Sequence, residues 1–120
     1  MSYAEYEQFL KDCGTPRTDA EGGEVTLKKS DAIKALYLLN DTDIVVLGGD
    51  VYELESDGYF RPTYENWYCD KNTDKQVTFA EESRKVAYEY LSNYREKSSS
   101  NIRYVLVISA LTHEIKGSVA

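Results

Sequence analysis

The sequence predicts a single α+β domain over residues 1–120, with helices, a small sheet and a long helix leading into a return strand. Three observations point there. Two S/T-x-x-E boxes open segments of helical periodicity. An Asp57-Gly58 pair separates two extended segments. An apolar run, Tyr104-Val105-Leu106-Val107-Ile108, follows the longest helical pattern. A chain of 120 residues, 42% hydrophobic and 29% charged, has room for one core and little else.

The elements follow in order. Residues 2–13 form a helix, capped by Ser2 with Glu5, with Tyr6, Phe9, Leu10 and Cys13 on one face. Residues 14–23 form a polar, glycine-rich loop. Residues 30–40 form a second helix with Ser30 as N-cap, Asp31 in its first turn, and Ala32, Ile33, Leu36, Tyr37 and Leu39 as its apolar face. Residues 44–47 read as a buried strand. Gly48-Gly49 reads as a sharp turn, and residues 51–55 as a second strand. Residues 59–68 are extended, with Pro62 demanding an edge, a bulge or a strand start.

Residues 78–97 are the long helix, opened by Thr78 with Glu81 and closed by Arg95 and Lys97. Its stripe is Val86, Ala87, Tyr90, Leu91 and Tyr94. Residues 102–111 read as a central strand covered on both faces. The order is α-α-β-β-β-α-β. It suggests a mixed sheet of about four strands, with a helical crossover long enough to reach a parallel neighbour. Residues 113–120 are a polar tail.

Charge and aromatics narrow the function. The 21 acidic and 14 basic residues leave a net charge of −7. That balance disfavours direct nucleic-acid binding, which needs Lys and Arg to neutralise phosphates. No apolar run is long enough for a membrane span. No signal-peptide pattern opens the chain, so the expected location is the cytoplasm. The charge is uneven: residues 41–70 hold eight acids against Arg61 alone. The same segment holds Tyr52, Tyr59, Phe60, Tyr64, Trp67 and Tyr68. A segment both acidic and aromatic is a candidate recognition surface for a basic protein.

Other chemistry has thinner support. Asp50 and Glu53 after the glycine pair could form a carboxylate pair for metal binding or acid–base work. Cys69-Asp70 could act as a nucleophile only with His113, the one histidine, close in space. Cys13 and Cys69 form no C-x-x-C pair and read as free thiols. No phosphate-binding glycine loop is present, and no cofactor is indicated. A self-assembling module, using the tyrosine-rich segment for contacts between copies, is a further alternative. Trp67 fits either the core or a contact surface.

Leu47-Gly48-Gly49-Asp50-Val51-Tyr52-Glu53, then Asp57-Gly58-Tyr59, then Arg61-Pro62-Thr63-Tyr64-Glu65-Asn66-Trp67-Tyr68-Cys69-Asp70 carry a resemblance. With the earlier helix DAIKALYLL, the helical pattern of Ser83, Ala87, Tyr90, Leu91 and Tyr94, and the YVLVI strand, they resemble the bacterial immunity protein 40 family. The resemblance covers roughly residues 28–110. It implies a cytoplasmic, non-enzymatic protein of a polymorphic toxin or contact-dependent inhibition system, which binds and neutralises a cognate toxin domain. A basic nuclease domain would suit the charge. The expected contact residues are Asp50, Tyr52, Glu53, Asp57, Tyr59, Tyr64, Glu65 and Asp70.

Overall fold

A computed structural model describes residues 2–17, 24–69 and 76–109. Helix α1 (Tyr3–Cys13) is capped as expected, Ser2 Oγ accepting the Glu5 N–H at 3.2 Å. After it, β1 (Thr15–Pro16), inside the expected loop, lies antiparallel to β2 (Val25–Thr26). Helix α2 (Lys29–Leu38) starts one residue before Ser30. Its N-cap is Lys28, with no side-chain hydrogen bond. Packing therefore holds this helix in place of a cap: Ala32, Ala35, Leu36 and Leu39 are all buried. Asp41, at φ 67°, turns the chain away after it.

The two strands expected on either side of Gly48-Gly49 are one strand, β3 (Val46–Leu54). Neither glycine has a positive φ, so no sharp turn divides them. Gly49 is needed for a different reason. A Cβ there would lie 2.2 Å from the Trp67 ring and 2.6 Å from the Val105 carbonyl oxygen. The glycine lets the indole pack flat onto the sheet. Strand β4 (Phe60–Tyr68) returns antiparallel to β3 through a tight hairpin. In its turn the Gly58 N–H donates to the Glu55 carbonyl at 2.9 Å, and Gly58 takes φ 89°. Glycine takes that left-handed position without a Cβ penalty, which is what the Asp-Gly pair supplies.

Helix α3 (Gln76–Asn93) begins before Thr78, so that residue lies inside it and is not its cap. It ends before Arg95 and Lys97, which lie in the connection to the last strand. Strand β5 (Ile102–Ile108) then pairs antiparallel with β3, giving the order β4-β3-β5. The helical connection does join two strands that run in the same direction, β4 and β5. Because β3 lies between them, each described pairing is antiparallel and the expected parallel neighbour is absent from the described strands. A bridge from Leu27 to Tyr104 attaches the β1–β2 ribbon beside β5.

The helices cover one face of the sheet. Small residues on α3 allow a close approach: Ala80, Ser83 and Ala87 are fully buried, with Leu91 completing the stripe. Ser83 Oγ accepts the Val46 N–H at 2.9 Å and donates to the Ala80 carbonyl at 2.7 Å. It thus ties α3 to the start of β3 and leaves no buried donor unpaired there. Aromatic contacts continue the core. Trp67 stacks on Tyr90 at 4.7 Å, Tyr90 meets Tyr94, and Tyr94 meets Tyr104 edge-on at 5.8 Å. Trp67 is therefore a core residue. Among the described residues the opposite face is only partly covered. Leu47 and Val107, both expected to be buried, are exposed on it, so β5 is not sheathed on both sides.

Candidate functional site

The expected contact residues divide among three environments. At the hairpin end, Arg61 bridges Glu53 and Glu55, with its Nε 2.9 Å from Glu55. Hydrogen bonds to Glu55 and Glu53 raise the guanidinium pKa further, so both acids face a fixed cation. Asp57 accepts the Tyr59 N–H at 2.9 Å and serves the turn. Tyr52 is held by Arg17, whose guanidinium lies 4.4 Å from the ring centroid and donates to the hydroxyl. Arg17 also pairs with Glu24 at 2.8 Å. This cluster fastens the β1–β2 segment to the sheet.

A second environment is a cleft of about 590 Å³ between the hairpin and the C-terminal part of α3, with Glu53, Glu65, Tyr90, Tyr94 and Arg95 among its walls. Glu65 accepts a hydrogen bond from the Tyr94 hydroxyl there. Burial first, and then the Glu65 carboxylate, push the Tyr94 phenol pKa up. Tyr104 behaves alike: burial, then its 2.7 Å bond to Glu96, keep it protonated.

The third environment is the edge of β4 that pairs with no other described strand, and the partly covered sheet face beside it. Tyr64 is 88% exposed and Tyr68 76% exposed, with Tyr59 also exposed at the turn. Tyr64 sits at φ 65°, in a bulge where the β3–β4 register shifts. Thr63 builds that bulge, its Oγ1 donating to the Val51 carbonyl at 2.8 Å and accepting the Glu65 N–H at 3.1 Å. A left-handed backbone at a bulky residue is costly, and it holds the phenol outward. Beside the edge lies a groove of about 480 Å³ over Gly48 and Gly49, walled by Leu47, Asp50, Asn66, Tyr68 and Val107.

The paired-carboxylate alternative loses its geometry here. Asp50 lines the groove on the partly covered face, while Glu53 lines the cleft on the helix side. Three residues apart on one strand, they point to opposite faces. Among the described residues no cluster of His, Cys, Asp and Glu could hold a metal ion. Asp70 and His113 lie outside the described residues. Cys69 is buried and Cys13 exposed, both as free thiols.

Sequence reasoning counted Tyr68 among the aromatics of the segment but not among the expected contact residues, although strand alternation places it with Tyr64 and Asn66. It also missed a helical groove of about 340 Å³ between α2 and α3, flanked by exposed Tyr37 and Tyr88 beside Arg84 and Lys85. Burial lowers the Arg84 pKa there. Helical spacing alone could not separate those two tyrosines from core neighbours.

The described residues thus form an α+β scaffold with exposed tyrosines on and beside one sheet edge, and Asp50 and Glu53 do not converge. The comparison of families is specific: the chain matches immunity protein 40 over residues 9–108 and belongs to that family. The match reaches back beyond residue 28 to take in the β1–β2 segment and part of α1. No curated protein and no solved structure matches the chain.

Proposed function

We propose that this immunity protein binds and neutralises a cognate bacterial toxin domain through the β4 edge and the sheet face beside it. The observation that carries the reading is the exposure of three tyrosines on one hairpin arm, Tyr59 at the turn and Tyr64 and Tyr68 on β4. Tyrosine suits such a surface. It offers a large contact area, few rotatable bonds and one hydroxyl. Asp50, Asp57 and Glu65 lie along the same hairpin, and the net charge of −7 favours encounter with a basic domain such as a nuclease. The action is occlusion by binding, with no catalysis of its own, in the cytoplasm of the producing cell.

The test is co-expression with the toxin domain encoded beside the gene. The wild-type chain should protect cells, and a Tyr59→Ser, Tyr64→Ser, Tyr68→Ser triple variant should lose affinity by about 100-fold or more. A triple variant that folds and protects like wild type would place the contact elsewhere, with the α2–α3 groove the next surface to examine.

A further inference from the structure

We infer that the groove over Gly48 and Gly49 receives an arginine or lysine side chain of the toxin, with Asp50 as its counter-charge. This rests on the toxin-binding reading and specifies what that surface recognises. The argument starts from the hairpin's own carboxylates. Glu53 and Glu55 are neutralised by Arg61, Asp57 caps the turn, and Glu65 accepts from Tyr94. Asp50 has no hydrogen-bond or ion-pair partner among the described residues. Among the described residues it is also the single charged one lining the groove.

The walls give the occupant its shape. Leu47 and Val107 are apolar and exposed, and Tyr68 presents most of its ring to solvent. An apolar slot ending at one carboxylate matches a long aliphatic stem with a cationic head. The Tyr68 ring adds a face on which a guanidinium or ammonium can rest. A purely apolar occupant would strip water from Asp50 without replacing its hydrogen bonds, and an anion would be repelled. The site is also rigid. Asp50 sits on the central strand, opposite Asn66 on one side and Val105 on the other. A counter-charge held in place needs little reordering on binding.

The probe is the neighbouring toxin domain, inactivated at its catalytic centre, with binding followed by biolayer interferometry at two salt concentrations. Asp50→Asn should weaken binding by about 30-fold or more, and Asp50→Lys should abolish it. Tyr68→Ala should cost about tenfold, while Glu55→Gln should stay within about twofold. Circular dichroism confirms folding of each variant, and Asp50→Asn preserves shape if Asp50→Lys does not fold. Wild-type binding with Asp50→Asn indistinguishable from it would overturn the inference and leave the toxin-binding reading standing. A wild-type chain that does not bind the domain at all would remove both. Self-association in light scattering that Asp50→Lys abolishes would assign the groove to a second copy and overturn the inference too.

Discussion

Tyr104 and Tyr64 carry the same side chain under opposite conditions. Tyr104 is fully buried on β5, closed over by Tyr94 and bonded through its hydroxyl to Glu96. Tyr64 stands out from the β4 edge on a left-handed backbone. In the helix-facing core Tyr94 and Tyr104 are each held by ring contacts and by a partner for the hydroxyl, because an unpaired buried hydroxyl is costly. At the edge the backbone is strained to keep the phenol in water. The first arrangement supplies stability. The second costs stability, and such strain tends to persist at surfaces under a functional constraint.

The comparison is broken most strongly from the core side. Leu91→Ala should destabilise the fold by about 2–5 kcal/mol, since the fully buried side chain leaves a cavity under α3. Chemical denaturation measures it. Ser83→Ala should cost about 1–3 kcal/mol, because the Val46 N–H then stays buried without its acceptor. A midpoint unchanged by that variant would show the helix-to-strand tie to be dispensable.

Alkaline titration probes the same core. The Tyr104 phenol has a pKa raised above the ordinary 10.0, chiefly by burial. A group raised on folding contributes stability that is fully present below its unfolded value and is lost as pH climbs past it. The melting temperature should therefore fall from about pH 10 upward. A Tyr94→Phe, Tyr104→Phe double variant should flatten that fall. An equally steep decline in the double variant would assign the alkaline sensitivity to other groups.

The smallest effect on stability, and the sharpest test of the contrast, is Tyr64→Gly. Glycine relieves the positive φ, so the fold should hold its stability or gain up to about 1 kcal/mol. Toxin affinity should nevertheless drop. Loss of stability without loss of affinity would reverse the division of labour between edge and core.

Much of this architecture was legible in the residues. Ser2 with Glu5 announced α1, and Asp57-Gly58 announced the hairpin, because caps and turns are local chemistry. The stripe of Ala87, Tyr90, Leu91 and Tyr94 announced the buried side of α3. The glycine pair misled because two glycines in sequence suggest a turn, whereas here one of them clears space for a tryptophan eighteen positions later in the chain. Leu47 and Val107 misled because apolarity predicts burial only where some other element arrives to cover the face. For the recognition segment, acidity was legible, but pairing was not. Arg61 and Tyr94 occupy three of its carboxylates from positions that composition does not connect to them.

By itself the sequence determined the class of fold, the local ends of several elements, the net acidity and the family to which the chain belongs. Those properties follow from neighbouring residues and from composition. The tertiary structure alone decided which tyrosines face water, which acids are already paired, and that Asp50 and Glu53 look to opposite sides of the sheet. Such properties depend on strand register and on contacts between distant segments. A single step of register reverses the face on which a side chain lies.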